Sequence, residues 1–289
     1  MNYCLCVSGN LGKIVLEYLT NQAIQISVVF TDKNSLEIID FCESKFLPCF
    51  VGNPRNMKAS KWLATKTISF EVLLSINYLF ILENDIINIP EIAINFHGSL
   101  LPKYRGRTPH VWAIINGESK TGITAHLMNA KCDDGDIVLQ KEVIIDDNDT
   151  GADILHKYEI LYPQMVNEVI NMINSNNMLL QHQDSSKATY FGKRTPNDGK
   201  IDWNWQKERI RNWVRAQAFP YPGAFTYCNE KKIVINKIQF SDHGFIDTIP
   251  NGTILDIIND CPYVKTPNGV VIISECVSDI EININDRLY

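Results

Sequence analysis

The 289-residue chain exceeds what one hydrophobic core usually organises, so a main domain with a smaller companion is expected. Its 45% hydrophobic and 21% charged residues are those of an ordinary globular protein, which excludes a disordered chain. A formal net charge of −6 offers no general attraction to a phosphate backbone, and no run approaches the ~18 apolar residues of a membrane span, so neither nucleic acid nor membrane is expected as a partner.

Tyr3 to Val7 is a short apolar run with no basic, apolar leader before it, and a cytoplasmic location is expected. Ser8-Gly9-Asn10 follows, and Leu11, Ile14, Val15, Tyr18 and Leu19 then recur at helical spacing. Ile24 to Phe30 reads as a second strand, Leu36 to Phe46 as a helix, and Phe70 to Ile76 as a further buried strand. Ala93 to Phe96 is another, introduced by Pro90 and ended by the turn His97-Gly98-Ser99. Strands alternating with helices imply an α/β fold with a mainly parallel, Rossmann-like sheet. Two more strands, Thr121 to Met128 and Ile137 to Ile145, bracket the polar connection Asn129 to Asp136, and a long helical pattern runs from about Thr150 to about Ile173.

The stretch QHQDSSK, Gln181 to Lys187, changes composition and marks a boundary between domains 1–187 and 188–289. Beyond it come a helix over about Gln206 to Ala218 and short strands around Phe225, Ile233, Ile254, Val264 and Val271. Strands at that spacing, separated by Asn-Gly turns, suggest a small β-rich barrel or meander. The eight cysteines are scattered without CxxC spacing, so no metal is expected, although Cys4 and Cys6 share one face of the first strand.

Asn95 and His97 are two apart on one strand, so a carboxamide and an imidazole face one volume at the sheet's carboxyl end. Asp133 and Asp136 flank Gly135 in the polar connection, and Asp133 is a carboxylate able to orient and charge the imidazole. Such a trio stabilises an oxyanion and moves protons. The same residues also read as hydrogen-bonded turn residues and a solvated acidic loop. His126 is a competing imidazole beside the same connection.

Residues 94–140, INFHGSLLPKYRGRTPHVWAIINGESKTGITAHLMNAKCDDGDIVLQ, resemble the core of the folate-dependent formyltransferases. That family's Asn-x-His strand end, Ser-Leu-Leu-Pro turn, Arg-Gly and Asp-x-Gly are matched at Asn95, His97, Ser99 to Pro102, Arg105-Gly106 and Asp133 to Gly135. The resemblance implies the formyltransferase fold and, for the C-terminal part, an OB-like domain. It further implies transfer of the formyl group of 10-formyltetrahydrofolate to an amine, with Asn95 and protonated His97 stabilising the formyl oxygen and Asp133 keeping His97 charged. The folate pteridine is expected against main chain around Leu74, Ile76 and Tyr78 and in the loop Asn129 to Asp136.

For the acceptor, Ser8, Gly9 and Asn10 precede a helix N-terminus suited to phosphate. Arg105 and His110 are further candidates on the acceptor side. The segment TYFGKRTPNDGKIDW resembles that of sugar-nucleotide formyltransferases, and its Lys193 and Arg194 are candidates for a diphosphate. Tyr190, Phe191 and Tyr221 are candidates for stacking on a base, or else packing residues. A nucleotide-linked amino sugar is therefore the favoured acceptor, preferably a dTDP-sugar, for lipopolysaccharide or O-antigen biosynthesis, with a homodimer expected from the resemblance. Methionyl-tRNA formyltransferase is disfavoured by the acidic charge and the short Thr31 to Asn53 connection. The same resemblance is compatible with a catalytically silent folate- or nucleotide-sugar-binding module and with a formyltetrahydrofolate hydrolase.

Overall fold

The computed structural model describes residues 1–278 and 281–289. From the start of the chain, β1 (Tyr3–Val7), α1 (Gly9–Asn21), β2 (Ile26–Thr31), α2 (Leu36–Ser44), β3 (Cys49–Val51), α3 (Lys58–Lys66), β4 (Val72–Ile76), α4 (Asn84–Ile87) and β5 (Ile92–His97) alternate. There follow β6 (Arg105–Gly106), α5 (Pro109–Ile115), β7 (Lys120–Leu127), β8 (Ile137–Ile144), α6 (Gly151–Asn174) and β9 (Tyr190–Phe191). The last elements are α7 (Lys207–Gln217), β10 (Ala224–Cys228), β11 (Lys231–Ser241), β12 (Ile254–Ile258), β13 (Cys261–Thr266) and β14 (Gly269–Val277).

The seven-stranded sheet runs β3-β2-β1-β4-β5-β7-β8. Pairing is parallel from β3 through β5 and antiparallel between β5 and β7. Every residue of β1 and β4 is buried, as expected of central strands covered on both faces, which read as unbroken apolar runs. On α1 the buried stripe is Leu11, Val15, Leu16 and Leu19, while the expected Ile14 and Tyr18 are only half-buried. Gly12 brings this helix close to the sheet, since a Cβ there would lie 3.0 Å from that of Val7. The chain order reverses between β1 and β4, the place in such sheets where clefts open beyond the strand ends.

A five-stranded antiparallel sheet runs β10-β11-β14-β13-β12, giving the expected strand-rich C-terminal part. Asn229-Glu230 and Asn259-Asp260 close two of its hairpins with φ positive at both positions, the geometry that matches strand twist and that asparagine tolerates. Its end strands, β10 and β12, are not paired with each other among the described residues. Ile210, Trp213 and Val214 are the buried face of α7, which packs on β11.

The chain does not divide at a single cut after Lys187. One compact unit is Met1–Gly106, Gly122–Val143 and His156–Phe191; the other is Arg107–Thr121, Ile144–Leu155 and Gly192–Tyr289. The reason lies in α5, whose Val111, Ala113, Ile114 and Ile115 are buried and which packs on α7.

Candidate active site

Parallel β4 and antiparallel β7 flank β5 and fix its carboxyl end, with Asn95 opposite His126 and His97 opposite Thr124. Asp133 comes over this edge from the connection after β7. Its Oδ1 lies 3.5 Å from His97 Nδ1, 3.4 Å from Asn95 Nδ2 and 3.6 Å from His126 Nε2. His97 and Asp133 are each 7% exposed and His126 3%, so their charges interact with little solvent between them.

Local chain geometry aims the carboxylate. Asp133 has φ of 54°, in the left-handed region that aspartate enters more readily than most residues. Gly135 is obligatory two residues later, because a Cβ there would stand 1.8 Å from the Leu127 carbonyl oxygen. The Gly106 N–H donates to Asp133 Oδ2 at 2.9 Å and leaves Oδ1 toward the imidazoles. Burial works against the Asp133 charge, but His97, His126 and the Gly106 N–H outweigh it and hold the carboxyl well below the usual carboxylate range.

His97 is held by a carbonyl on one side and faces the carboxylate on the other. Its Nε2 lies 2.8 Å from the Tyr104 carbonyl oxygen, so the ring proton sits on Nε2. Burial lowers the His97 pKa by more than Asp133 and that carbonyl raise it, with His126 and Arg105 adding to the downward pull.

Asn95 is engaged on both sides. His126 Nδ1 donates to the Leu127 carbonyl at 2.9 Å, and its Nε2 lies 3.2 Å from Asn95 Nδ2. The second Asn95 hydrogen points to Asp133. At 3.2 and 3.4 Å these contacts are long for hydrogen bonds. His126 therefore orients the amide, a role its place opposite Asn95 explains.

Arg105 is corrected from substrate contact to internal tie. It is 1% exposed, with Nη1 at 2.6 Å from Asp134 Oδ1 and 2.7 Å from the Tyr190 hydroxyl, and Nη2 at 2.7 Å from Gln183 Oε1. At the first loop, Gly9 N–H donates to Ser35 Oγ at 2.9 Å, and Ser35 Oγ donates to Asp32 Oδ2 at 2.6 Å. Burial opposes the Asp32 charge, yet bonds from Ser35 and the Asn34 N–H lower its pKa, so a carboxylate already serves the N-terminus of α1. Ser8 is buried and the Asn10 amide donates to Glu159 at 2.7 Å, which leaves this loop poorly suited to phosphate.

Leu74 and Ile76 have fully buried side chains on β4, which is paired on both sides. Tyr78 packs on the core around β1, β2 and α3, its hydroxyl buried without a partner and its pKa raised by burial. Asp136 is half-exposed and bonds His182 Nδ1 at 2.8 Å. Phe191 stacks on Tyr104 at 5.0 Å, which makes it a packing residue.

In the second unit, Lys193 and Arg194 line a cavity of about 170 Å³ together with Thr108, Val111, Tyr221 and Gly223. Arg194 lies 4.2 Å above Trp213 and 5.2 Å from Trp112, and its Nη2 donates to Gln217 Oε1 at 2.6 Å. Its Nη1 is buried without a hydrogen-bond partner. His110 Nε2 bonds the Tyr221 hydroxyl at 2.7 Å beside this cavity. Among the described residues no cluster of His, Cys, Asp or Glu is suited to a metal ion.

A family model described as formyl transferase matches residues 7–170, and one for the formyl transferase C-terminal domain matches residues 193–280. The chain belongs to the formyl transferase family. It is 36% identical over 253 residues to bifunctional polymyxin resistance protein ArnA of Wigglesworthia glossinidia brevipalpis, covering 83% of this chain and 38% of that protein. The chain thus spans well under half of that curated relative. Its fold is that of WlaRD, a sugar 3N-formyl transferase solved with dTDP and 5-N-formyl-THF, at a TM-score of 0.72 and 19% identity over 98% of this chain and 99% of that one. An N-formyltransferase from Helicobacter canadensis, in complex with folinic acid and dTDP-3-aminofucose, matches with a TM-score of 0.72 and 19% identity over 94% of this chain and 98% of that one.

Proposed function

We propose that this formyl transferase family member moves the formyl group of 10-formyltetrahydrofolate onto the amine of a nucleotide-linked amino sugar, with Asn95, His97 and Asp133 as its catalytic residues. The observation that carries the reading is the meeting of an amide and an imidazole within 3.5 Å of one ionised carboxylate at the end of β5. The bond between the amine nitrogen and the formyl carbon forms as the carbonyl becomes an oxyanion, which Asn95 Nδ2 stabilises by donation. His97 Nδ1 takes the proton released by the amine nitrogen, and Asp133 stabilises the resulting imidazolium. His97 returns the proton to the departing folate nitrogen as the carbonyl reforms.

A dTDP-sugar is the preferred acceptor, and Lys193 with Arg194 is proposed to meet its diphosphate. The likeness to a sugar N-formyltransferase in complex with dTDP-3-aminofucose supports this choice, as does the cavity that the two cations line. Among the described residues no helix is long and apolar enough to cross a membrane. We place the protein in the cytoplasm as a homodimer, its product a sugar for lipopolysaccharide assembly. To test the reading, the protein is mixed with 10-formyltetrahydrofolate and a panel of dTDP- and UDP-linked amino sugars, with initiator methionyl-tRNA as a separate arm. Mass spectrometry is expected to find one formyl group on an amino sugar. Formylation of the tRNA alone, or of nothing in the panel, would overturn the assignment.

A further inference from the structure

We infer that Gln183 is a positioning residue that holds the Asp133 carboxylate in the reactive cluster; the inference rests on the reading of Asp133 as catalytic. Gln183 is 2% exposed, although it lies in a stretch whose composition resembles a linker. Its Nε2 donates to the Asp133 carbonyl at 3.0 Å and to the Gly135 carbonyl at 2.7 Å. Its Oε1 accepts from Arg105 Nη2 at 2.7 Å, and Arg105 Nη1 meets the Asp134 carboxylate at 2.6 Å. One amide thus holds the carbonyls on either side of Asp134, and the guanidinium it orients holds Asp134 itself.

The clamp is needed because Asp133 is a non-glycine residue at φ of 54°, a conformation that persists only where the surroundings fix it. A carboxamide suits the task chemically. It supplies two N–H donors for two carbonyls and an acceptor for the guanidinium, whereas glutamate lacks the donors and lysine lacks the acceptor. The clamp thereby fixes Asp133, whose Oδ1 lies 3.5 Å from His97 Nδ1 while its Oδ2 accepts from the Gly106 N–H at 2.9 Å.

Gln183→Ala and Gln183→Glu, compared with the parent and with Asp133→Asn, test the inference. Gln183→Glu keeps an oxygen for Arg105 and loses both donors. In each, kcat is expected to fall about 10- to 100-fold, with KM for 10-formyltetrahydrofolate within about twofold of the parent value. The Gly106 backbone amide, followed by heteronuclear NMR, is expected to shift and to exchange faster. If Gln183→Ala fails to fold, Gln183→Glu supplies both readouts, and Asp133→Asn/Gln183→Glu is expected to be no slower than Asp133→Asn alone. A Gly106 amide unchanged in a folded variant, a parent-level kcat in Gln183→Glu, or additive loss in the double variant would overturn the positioning role. A parent-level rate in Asp133→Asn would instead remove the catalytic reading, and the Gly106 amide would still report whether Gln183 holds the loop.

Discussion

Asp133→Asn isolates the carboxylate charge, since the side chain keeps its size and can still accept from the Gly106 N–H. On the proposed mechanism His97 carries a proton during transfer, and two unit charges 3.5 Å apart attract by about 5 kcal/mol at an effective dielectric constant of ~20. Both side chains are 7% exposed, so screening by water removes little of this. Part is recovered by residual dipoles of the amide, leaving about 3–4 kcal/mol, and at about 1.4 kcal/mol per tenfold in rate the expected loss in kcat is roughly 100- to 1,000-fold. Initial rates of formyl transfer at saturating substrates measure it, with a melting curve to show that the fold survives. The same variant makes a second, independent prediction. Asp133 is the largest influence raising the His97 pKa, so its removal is expected to move the His97 titration further down, as followed by NMR of the imidazole. A folded variant with a rate within tenfold of the parent, or a His97 pKa that rises, would refute the electrostatic reasoning.

Acid stability follows from the same pair. Asp133 and His97 both have pKa values below their ordinary ones, so the unfolded chain binds more protons than the folded one and stability rises with pH. The His97 contribution begins to fall below about 6.5, and that of Asp133 below about 3.9, and each is lost as pH falls through the group's lower folded value. The melting temperature is therefore expected to drop on acidification, and His97→Gln to flatten the upper part of that profile; a melting temperature that climbs as pH is lowered would contradict both signs. In the second unit, Lys193→Ala is expected to weaken dTDP binding in titration calorimetry without changing the melting temperature. Arg194→Ala is expected to weaken binding and also to cost about 1–2 kcal/mol of stability, because Trp112 and Trp213 lose the cation between them. Unchanged affinity in both variants would remove this cavity from the acceptor site.

The parallel core was legible because strands buried on both faces leave apolar runs such as YCLCV and VLLSI. What escaped has weak apolar signals for physical reasons. β3 sits at the sheet edge and is only half-buried to exposed, and α3, KASKWLATK, buries just Ala59 and Leu63. β6 and β9 are two residues each, too short for any period. α5 was hidden by its length, and its apolar face decides the division of the chain because that face packs on α7.

In the site, the spacing of Asn95 and His97 was readable because strand geometry fixes it, while the choice of Asp133 rested on resemblance. Two features required coordinates. Gln183 acts on main-chain carbonyls 50 and 48 residues away, and main-chain partners leave no side-chain pattern to match. The charge of His97 depends on how far burial exceeds the pull of Asp133, a balance that residue types alone do not set. That balance matters for the chemistry. On the proposed mechanism the ring takes the amine's proton as the amine attacks, so its attraction to Asp133 is greatest in the transition state. The long Asn95 bonds serve the same end, since a donor held loosely in the free site is surrendered to an oxyanion more readily than one already saturated.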